Sequence, residues 1–592
     1  MRAELSPDPS ASRTVEEAFF RTHDGTELFY RKWPAHSGAP KGAVVLLHRG
    51  HEHGRRVAHL VDELGLGDFA FYAWDARGHG RSPGPRGFSP SFAASVRDLD
   101  SFVRHISVTD GIAIEDVAVI AQSVGAVLAA TWVHDYAPPV RALVLASPAF
   151  SVKLYVPFAR QGISLWQRLK GQFFVNSYVK AKFLTHDPER IASFERDPLI
   201  TRAIASNILL DLYNAAERVV ADARAIIVPT QLLISGSDWV VRHAPQHRFY
   251  ENLAHPLKER HVLKGFFHDT LGEKDRAIAI AYARRFILDR FAAEPAKLDV
   301  TDAHATGFTR DEQDRLSSPH DLLSARGLYW AAYRASIRFA ALSSLGLKTG
   351  VRTGFDSGST LDYVYENEPR GFGPVGRLID RHFLDAIGWR GIRQRKLHLQ
   401  ELIGLALARL QENGRSTHML DIAAGHGRYV LDAVARAEVK PDSIRMQDYV
   451  QINVDAGRKR IAERGLEDVA TFHQADAFDG DGLAATSPAP DLAIVSGLYE
   501  LFPDNSLIER SLNGLARAMQ PGSLLIYTNQ PWHPQLEMIA RALTSHRGGK
   551  AWVMRRRTQA EMDQLVAAAG FHKIEQRIDE WGIFTVSLAE RL

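Results

Sequence analysis

The chain reads as an α/β protein with two doubly wound domains in tandem, and three observations predict this. Short runs of β-prone apolar residues alternate with helical segments along most of the 592 residues, the pattern of parallel sheets covered on both faces. Two of those runs end in a turn of small residues that opens directly into a helix. Residues 117–120 pass through Ala121-Gln122-Ser123-Val124-Gly125, and residues 418–420 pass through Asp421-Ile422-Ala423-Ala424-Gly425-His426-Gly427. The length itself exceeds what a single hydrophobic core sustains.

Composition narrows the function. With 45% hydrophobic and 24% charged residues the chain has the make-up of a soluble globular protein. Lys+Arg 72 against Asp+Glu 69 leaves a formal charge of +3, which gives no support to a nucleic-acid partner. The absence of cysteine removes disulfides, thiolate metal sites and a Cys nucleophile together. Residues 1–13 carry charges and prolines without the apolar stretch of a secretory signal. No run reaches the roughly 18 apolar residues of a membrane-spanning helix, so a cytoplasmic setting is expected.

In order along the first half, residues 1–16 are expected to be a disordered tail, and 17–33 alternate as a hairpin turning at Asp24-Gly25. Residues 43–47 form an apolar strand ending in His48-Arg49-Gly50-His51-Glu52-His53. Three histidines and a glutamate so close invite a metal, but the spacing is not that of H-E-x-x-H on a helix, and no metal site is assigned. The stretch reads instead as a loop at a strand's C-terminal end, where α/β folds place their sites. The strand at 70–74 runs into Asp75-Ala76-Arg77-Gly78-His79-Gly80-Arg81-Ser82, and the one at 142–146 into Ser147-Pro148.

Residues 150–225 break the rhythm with helical, aromatic-rich sequence that includes Tyr155, Phe158, Trp166, Phe174, Tyr178 and Phe183. Ordinary helical core and a helical lid that gives Ser123 an apolar pocket are both open readings. Two late strands end the domain. Residues 230–235 lead to Gly236-Ser237-Asp238, and 260–263 lead to Gly265-Phe266-Phe267-His268-Asp269.

A serine on a strand–turn–helix, followed in chain order by an Asp and a His each just past a strand, is the Ser…Asp…His order of an α/β-hydrolase. With H-x-G-x-E-H-x-x-R at 48–56 and D-x-R-G-H-G-x-S at 75–82, residues 17–293 resemble the monoacylglycerol lipase and lysophospholipase branch of that family. The resemblance implies Ser123 as nucleophile, His268 as its general base, Asp238 as the residue orienting the imidazole, and the backbone N–H groups of Gly50 and Val124 as the oxyanion site. It implies a small acyl ester or lipid substrate and transient contact with a membrane surface. Ala121 stands in place of the usual first glycine, and Arg49 occupies a position usually glycine, where it could reshape the loop or attract an anionic head.

Residues 294–375 read as a linker and an adaptor. Residues 294–319 are polar and uneven, 322–347 are helical, 350–376 are rich in Gly and Asp and read as loops, and 377–410 return to helix with a break at 388–391. The adaptor helix is expected to pack on a domain rather than lie on a membrane surface.

The turn after 418–420 has the geometry in which a nucleotide-like ligand lies against exposed amides. A dinucleotide dehydrogenase wants a third small residue where Val430 stands, and Asp421 would set a negative charge beside its pyrophosphate. A sulfonium cofactor with an amino-acid end is suited by that charge. Later strands end at Asp448, at Asp476-Ala477 and at Ser496-Gly497-Leu498-Tyr499-Glu500. Residues 376–592 thus resemble a Rossmann-like class I S-adenosylmethionine-dependent methyltransferase. That resemblance implies Asp421, Gly425 and Gly427 around the methionine part of S-adenosylmethionine, Asp448 at the ribose, and Asp476 with Ala477 at the adenine. Tyr499, Glu500 and His533 are candidates to deprotonate an acceptor that the sequence does not name. The whole resembles a bacterial two-domain fusion, either bifunctional or with one half acting as a binding or regulatory module.

Overall fold

The computed structural model describes residues 13–36, 38–154, 156, 158–177 and 179–592. The chain divides into two compact units, the first ending at Leu298 and the second beginning at Asp299.

Among the described residues ten strands belong to the first unit. They are β1 (Glu16–Arg21), β2 (Glu27–Trp33), β3 (Gly42–Leu47), β4 (Phe69–Trp74), β5 (Val117–Gln122), β6 (Ala142–Ala146), β7 (Phe174–Asn176), β8 (Ala203–Ala205), β9 (Thr230–Ser235) and β10 (Lys258–Leu263). Eight make one sheet in the order β1-β2-β4-β3-β5-β6-β9-β10. β1 and β2 join antiparallel at one edge, and β3 to β10 run parallel within the sheet. The strands β3, β4, β5, β6 and β9 are buried along their whole length, because helices cover both faces.

Between β6 and β9 the chain departs from the expected all-helical lid. The helices Ala159–Lys170, Pro188–Arg196 and Ser206–Ala221 are interleaved with two short strands, β7 and β8, that pair antiparallel across the helix Pro188–Arg196. The aromatic residues also face outward more than a pocket lining requires. Phe158 is 81% and Trp166 52% exposed, and the helix Ala159–Lys170 buries none of its residues. Tyr155, Tyr178 and residues 1–12 of the expected tail lie outside the described residues.

The second unit carries β11 (His418–Asp421), β12 (Ser443–Asp448), β13 (Ala470–Gln474), β14 (Leu492–Val495), β15 (Leu524–Asn529), β16 (Phe571–Ile578) and β17 (Thr585–Arg591). Their order is β13-β12-β11-β14-β15-β17-β16. The first five are parallel and β17 inserts antiparallel between β15 and β16. The order reverses between β11 and β14, and a crevice outside the carboxyl ends at such a switch point is where open α/β sheets bind ligands.

Residues 299–375 are more ordered than their composition suggested. The polar 294–319 segment contains the helix Phe308–Ser317. The helical stretch at 322–347 is split into Ala325–Ala340 and Leu345–Thr353. The Gly-rich 350–376 segment holds the helix Gly358–Glu366, capped by Ser357 accepting from the Thr360 N–H and ended by Asn367 in the left-handed region. The break expected at 388–391 falls earlier, between the helices Gly373–Leu384 and Ile387–Glu412. Glycine here serves contact: a Cβ on Gly346 would lie 2.7 Å from the Phe383 ring, and one on Gly391 3.0 Å from Phe584. Packing of the helix Ala325–Ala340 is incomplete, with Leu328, Tyr329 and Phe339 exposed. Among the described residues no helix is long and apolar enough to cross a membrane.

Candidate active sites

Ser123 sits between β5 and the helix Val124–Asp135 with φ 57 and ψ −116, a sharp turn that aims its side chain away from both elements. The turn needs Gly125, since a Cβ there would come within 2.5 Å of the His48 carbonyl oxygen. Ser123 Oγ donates to His268 Nε2 at 2.7 Å, and His268 Nδ1 donates to Asp238 Oδ2 at 2.8 Å. The carboxylate on Nδ1 fixes the tautomer, leaving Nε2 free to take the serine proton. Asp238 Oδ1 accepts the Val240 and Val241 N–H groups at 2.7 and 2.9 Å. Burial alone would raise the Asp238 pKa, but His268 and these N–H donors outweigh it and hold the carboxyl below its usual range.

Gly50 lies against the elbow, where a Cβ would be 2.9 Å from Val124 Cγ2. The loop carrying it is held by His48, whose Nδ1–H donates to the Arg49 carbonyl and whose Nε2 accepts the Ala76 N–H. The three histidines of that loop diverge: His53 pairs with Asp197, while His51 stands on the rim of the cavity described below. No group of metal-ligating side chains occurs among the described residues.

Arg49 does not reach for an anionic head. Its guanidinium makes two hydrogen bonds to Glu52, at 3.0 and 2.6 Å, and lies 3.5 Å from Asp269, all three side chains being buried. Asp269 also pairs with Arg190 and accepts from Gln122 Nε2 at 2.9 Å. The residue before the nucleophile and the residue after the histidine are thereby tied together through side chains. Sequence reasoning missed Gln122 and Asp269, whose only signal was adjacency to Ser123 and His268.

Ser123 and His268 open into a cavity of about 570 Å³. Its described lining is mainly aliphatic, with Val152, Ile163, Ile204, Leu209 and Leu212 beside Phe194. Burial holds the rim imidazoles neutral, His51 lowered to about 4 and His79 to about 3.

In the second unit Asp421 ends β11 fully buried, accepting the Ala423 N–H at 3.2 Å and the Tyr429 hydroxyl. Burial pushes its pKa up to about 7, more than these donors lower it, and the charge of Asp448 adds to the rise. Gly425 and Gly427 both have positive φ, 57 and 70. A Cβ on Gly427 would strike Met446 Sδ at 2.7 Å, whereas one on Gly425 would meet only open space. Asp448 accepts the Gly425 and Val450 N–H groups and the Asn453 amide, leaving about one of a carboxylate's four lone-pair positions. Asp476 is exposed past β13 and caps the turn by accepting the Phe478 N–H, while Ala477 is buried beside it. The helix Gly358–Glu366 flanks this loop, with Asp362 pairing Arg428 and Arg460.

A buried carboxylate with no cation against it, a glycine facing open space and acids ending the next two strands fit a cationic amino-acid end carried on a nucleoside. Of the acceptor candidates, Tyr499 is withdrawn, its hydroxyl donating to Ser511 inside the core. Glu500 and His533 line a second cavity.

Fold and geometry define a two-domain protein, an α/β-hydrolase followed by a Rossmann-like methyltransferase-type sheet. Comparison with known proteins agrees. A family model described as "Putative methyltransferase" matches residues 283–591, and one described as "Serine aminopeptidase, S33" matches residues 38–275. The chain belongs to the first of these families. It is 57% identical over 580 residues to the "Uncharacterized protein YnbC" of Escherichia coli (strain K12), covering 98% of this chain and 99% of that protein. It is 25% identical over 282 residues to a monoacylglycerol lipase of Mycolicibacterium smegmatis, covering 45% of this chain and 95% of that protein. A solved monoacylglycerol lipase from Paleococcus ferrophilus shares 23% identity at TM-score 0.41, over 45% of this chain and 99% of that one.

Proposed function

We propose that the chain is a bifunctional enzyme, a serine hydrolase of acyl esters joined to an S-adenosylmethionine-dependent methyltransferase. The observation that carries the first half is the unbroken Ser123–His268–Asp238 hydrogen-bond chain opening into an aliphatic cavity. Ser123 Oγ attacks the ester carbonyl as His268 Nε2 takes its proton, and the oxyanion forms beside the N–H groups of Gly50 and Val124. His268 then hands the proton to the leaving alcohol, and water activated by the same imidazole releases the acyl group. Mainly aliphatic walls favour a medium or long acyl chain, so the substrate is an acyl ester of lipid type.

For the second half, Asp421 would face the cofactor's ammonium, Gly425 and Gly427 its methionine part, Asp448 a ribose hydroxyl, and Asp476 with the Ala477 N–H the adenine. Bound there, S-adenosylmethionine would supply an electrophilic methyl group. Hydrolysis of p-nitrophenyl esters over a series of chain lengths tests the first half. Activity is expected to peak at one length and to vanish in Ser123→Ala; equal turnover of acetyl and dodecanoyl esters would refute the acyl specificity. Calorimetry with S-adenosylhomocysteine tests the second, where absence of binding would end that reading.

A further inference from the structure

The second cavity, about 330 Å³, lies wholly within the second unit. Its walls include Ile337, Phe383, Trp389, Trp552, Met554 and Phe584, and it reaches Gly497 just past β14. β14 pairs with β11, Ile494 facing Asp421, so the cavity opens at the switch point beside the glycine turn. Its volume is at the low end of the about 300–1,000 Å³ usual for ligand pockets.

The space is mainly apolar, though Ser336, Asp356 and His382 also line it and Trp552 Nε1 is unpaired there among the described residues, and its polar corner at Glu500 is incomplete. Glu500 and Gln530, 7% and 4% exposed, both line it. Glu500 Oε1 accepts the Thr528 hydroxyl at 2.7 Å, and Thr528 in turn accepts the Gly497 N–H at 2.8 Å. Arg395 stands 3.7 Å from the same Oε1 and balances its charge. Yet Glu500 Oε2 and Gln530 Nε2 are buried without a hydrogen-bond partner among the described residues. Gln530 follows directly on β15, two residues beyond Thr528. A buried acceptor and a buried donor left unmade each carry a desolvation cost that nothing offsets, unless a ligand completes them.

Resting on the methyltransferase reading, we propose that this cavity is the methyl-acceptor site and that the acceptor is a hydroxyl on a compact apolar body, an alcohol or phenol. A hydroxyl can donate to Glu500 Oε2 and accept from Gln530 Nε2 through a single oxygen. A carboxylate would bring a second negative charge against Glu500 with Arg395 alone to balance both. An ammonium would satisfy Glu500 but leave the Gln530 N–H unmatched, and has no lone pair to offer. His533 is no rival base: its Nδ1 accepts the Gln535 N–H, so Nε2 holds the proton, and burial keeps the ring neutral, lowered to about 3. In the transfer the acceptor O–H proton passes to Glu500 Oε2 while an oxygen lone pair forms the bond to the methyl carbon. The methyl–sulfur bond breaks with its electron pair staying on sulfur, so that a methyl ether and neutral S-adenosylhomocysteine sulfur result. Glu500 is the catalytic base and Gln530 orients the hydroxyl.

The test uses the full chain, S-adenosylmethionine labelled in the methyl group, and four probes: naphthol, decyl alcohol, decanoic acid and decylamine. Label is expected in naphthol and decyl alcohol. Glu500→Gln should lower kcat on naphthol by about 10²-fold or more, with S-adenosylhomocysteine affinity retained, and most of the rate should return on a nitronaphthol whose phenolate forms without help. Gln530→Met should raise KM for naphthol more than it lowers kcat. Faster labelling of the acid or the amine than of decyl alcohol, or an equal loss in Glu500→Gln on both naphthols, would overturn the assignment. So would S-adenosylhomocysteine binding with neither hydroxyl probe labelled. No binding of S-adenosylhomocysteine would instead remove the methyltransferase reading itself.

Discussion

The two sites differ in how far the chain itself satisfies them. Around Ser123 each polar group of the triad has its counterpart in the protein: serine to histidine, histidine to aspartate, aspartate to two backbone N–H groups, and Arg49 to Glu52 and Asp269. Around the glycine turn and its neighbouring cavity the reverse holds. Asp421 is buried without a cation, and Glu500 and Gln530 each keep an unpaired polar atom. On the proposed reading the first site would bring its own nucleophile and need only a substrate, and the second would be completed by two ligands.

The sharpest test of that contrast is Ser123→Ala. If the first site is complete in the protein, removing its nucleophile should lower kcat on esters by about 10⁴–10⁶-fold, with S-adenosylhomocysteine binding in the second unit unchanged by calorimetry. Arg49→Met probes the same completeness through stability. It leaves Glu52 and Asp269 buried with only Arg56 and Arg190 to balance them, and denaturant titration should show a loss of about 1–3 kcal/mol. A stable variant that merely loses affinity for anionic esters would mean that Arg49 addresses substrate after all.

The smaller effects belong to the site that waits for ligands. Asp421→Asn should weaken S-adenosylhomocysteine by about 10–100-fold, the worth of about 1.5–3 kcal/mol for a hydrogen bond between charged groups. Because burial raises the folded pKa of Asp421 from 3.8 to about 7, its contribution to apo stability is present at low pH and is lost as pH rises through that window. A cationic ligand prefers the ionised form. Its affinity should therefore fall about tenfold per pH unit below 7 and level off above it, a slope that Asp421→Asn should abolish.

The parts legible in the sequence were those written in contiguous residues. Residues 117–125 and 418–427 each hold strand, turn and helix within one stretch, so both turns and the strand ends at Asp238, His268, Asp448 and Asp476 could be placed from local pattern. What escaped depends on remote partners. Arg49 looked like a free cation until Asp269 and Glu52 enclosed it, and no periodicity signals that enclosure. Gly350 fell in the stretch read as loops and Gly391 in the expected helix break, although they permit close contact with Phe355 and Phe584. The closing pair β16–β17, to which the sequence reading assigned no strands, carries a register shift between Lys573 and Glu575. Glu500 could be named from its place after a strand, but only the folded cavity distinguishes it from Tyr499 beside it.

The backbone at Ser123 has one more consequence. Its φ of 57 with ψ of −116 is the mirror image of ordinary extended chain, open to glycine and disfavoured for any residue with a Cβ, at about 1–3 kcal/mol for such strained positions. Ser123→Gly should therefore melt at a higher temperature than the parent while hydrolysing nothing. Robustness and reactivity are opposed at this single residue, and a selection for heat resistance alone would drive the first unit toward an inert scaffold.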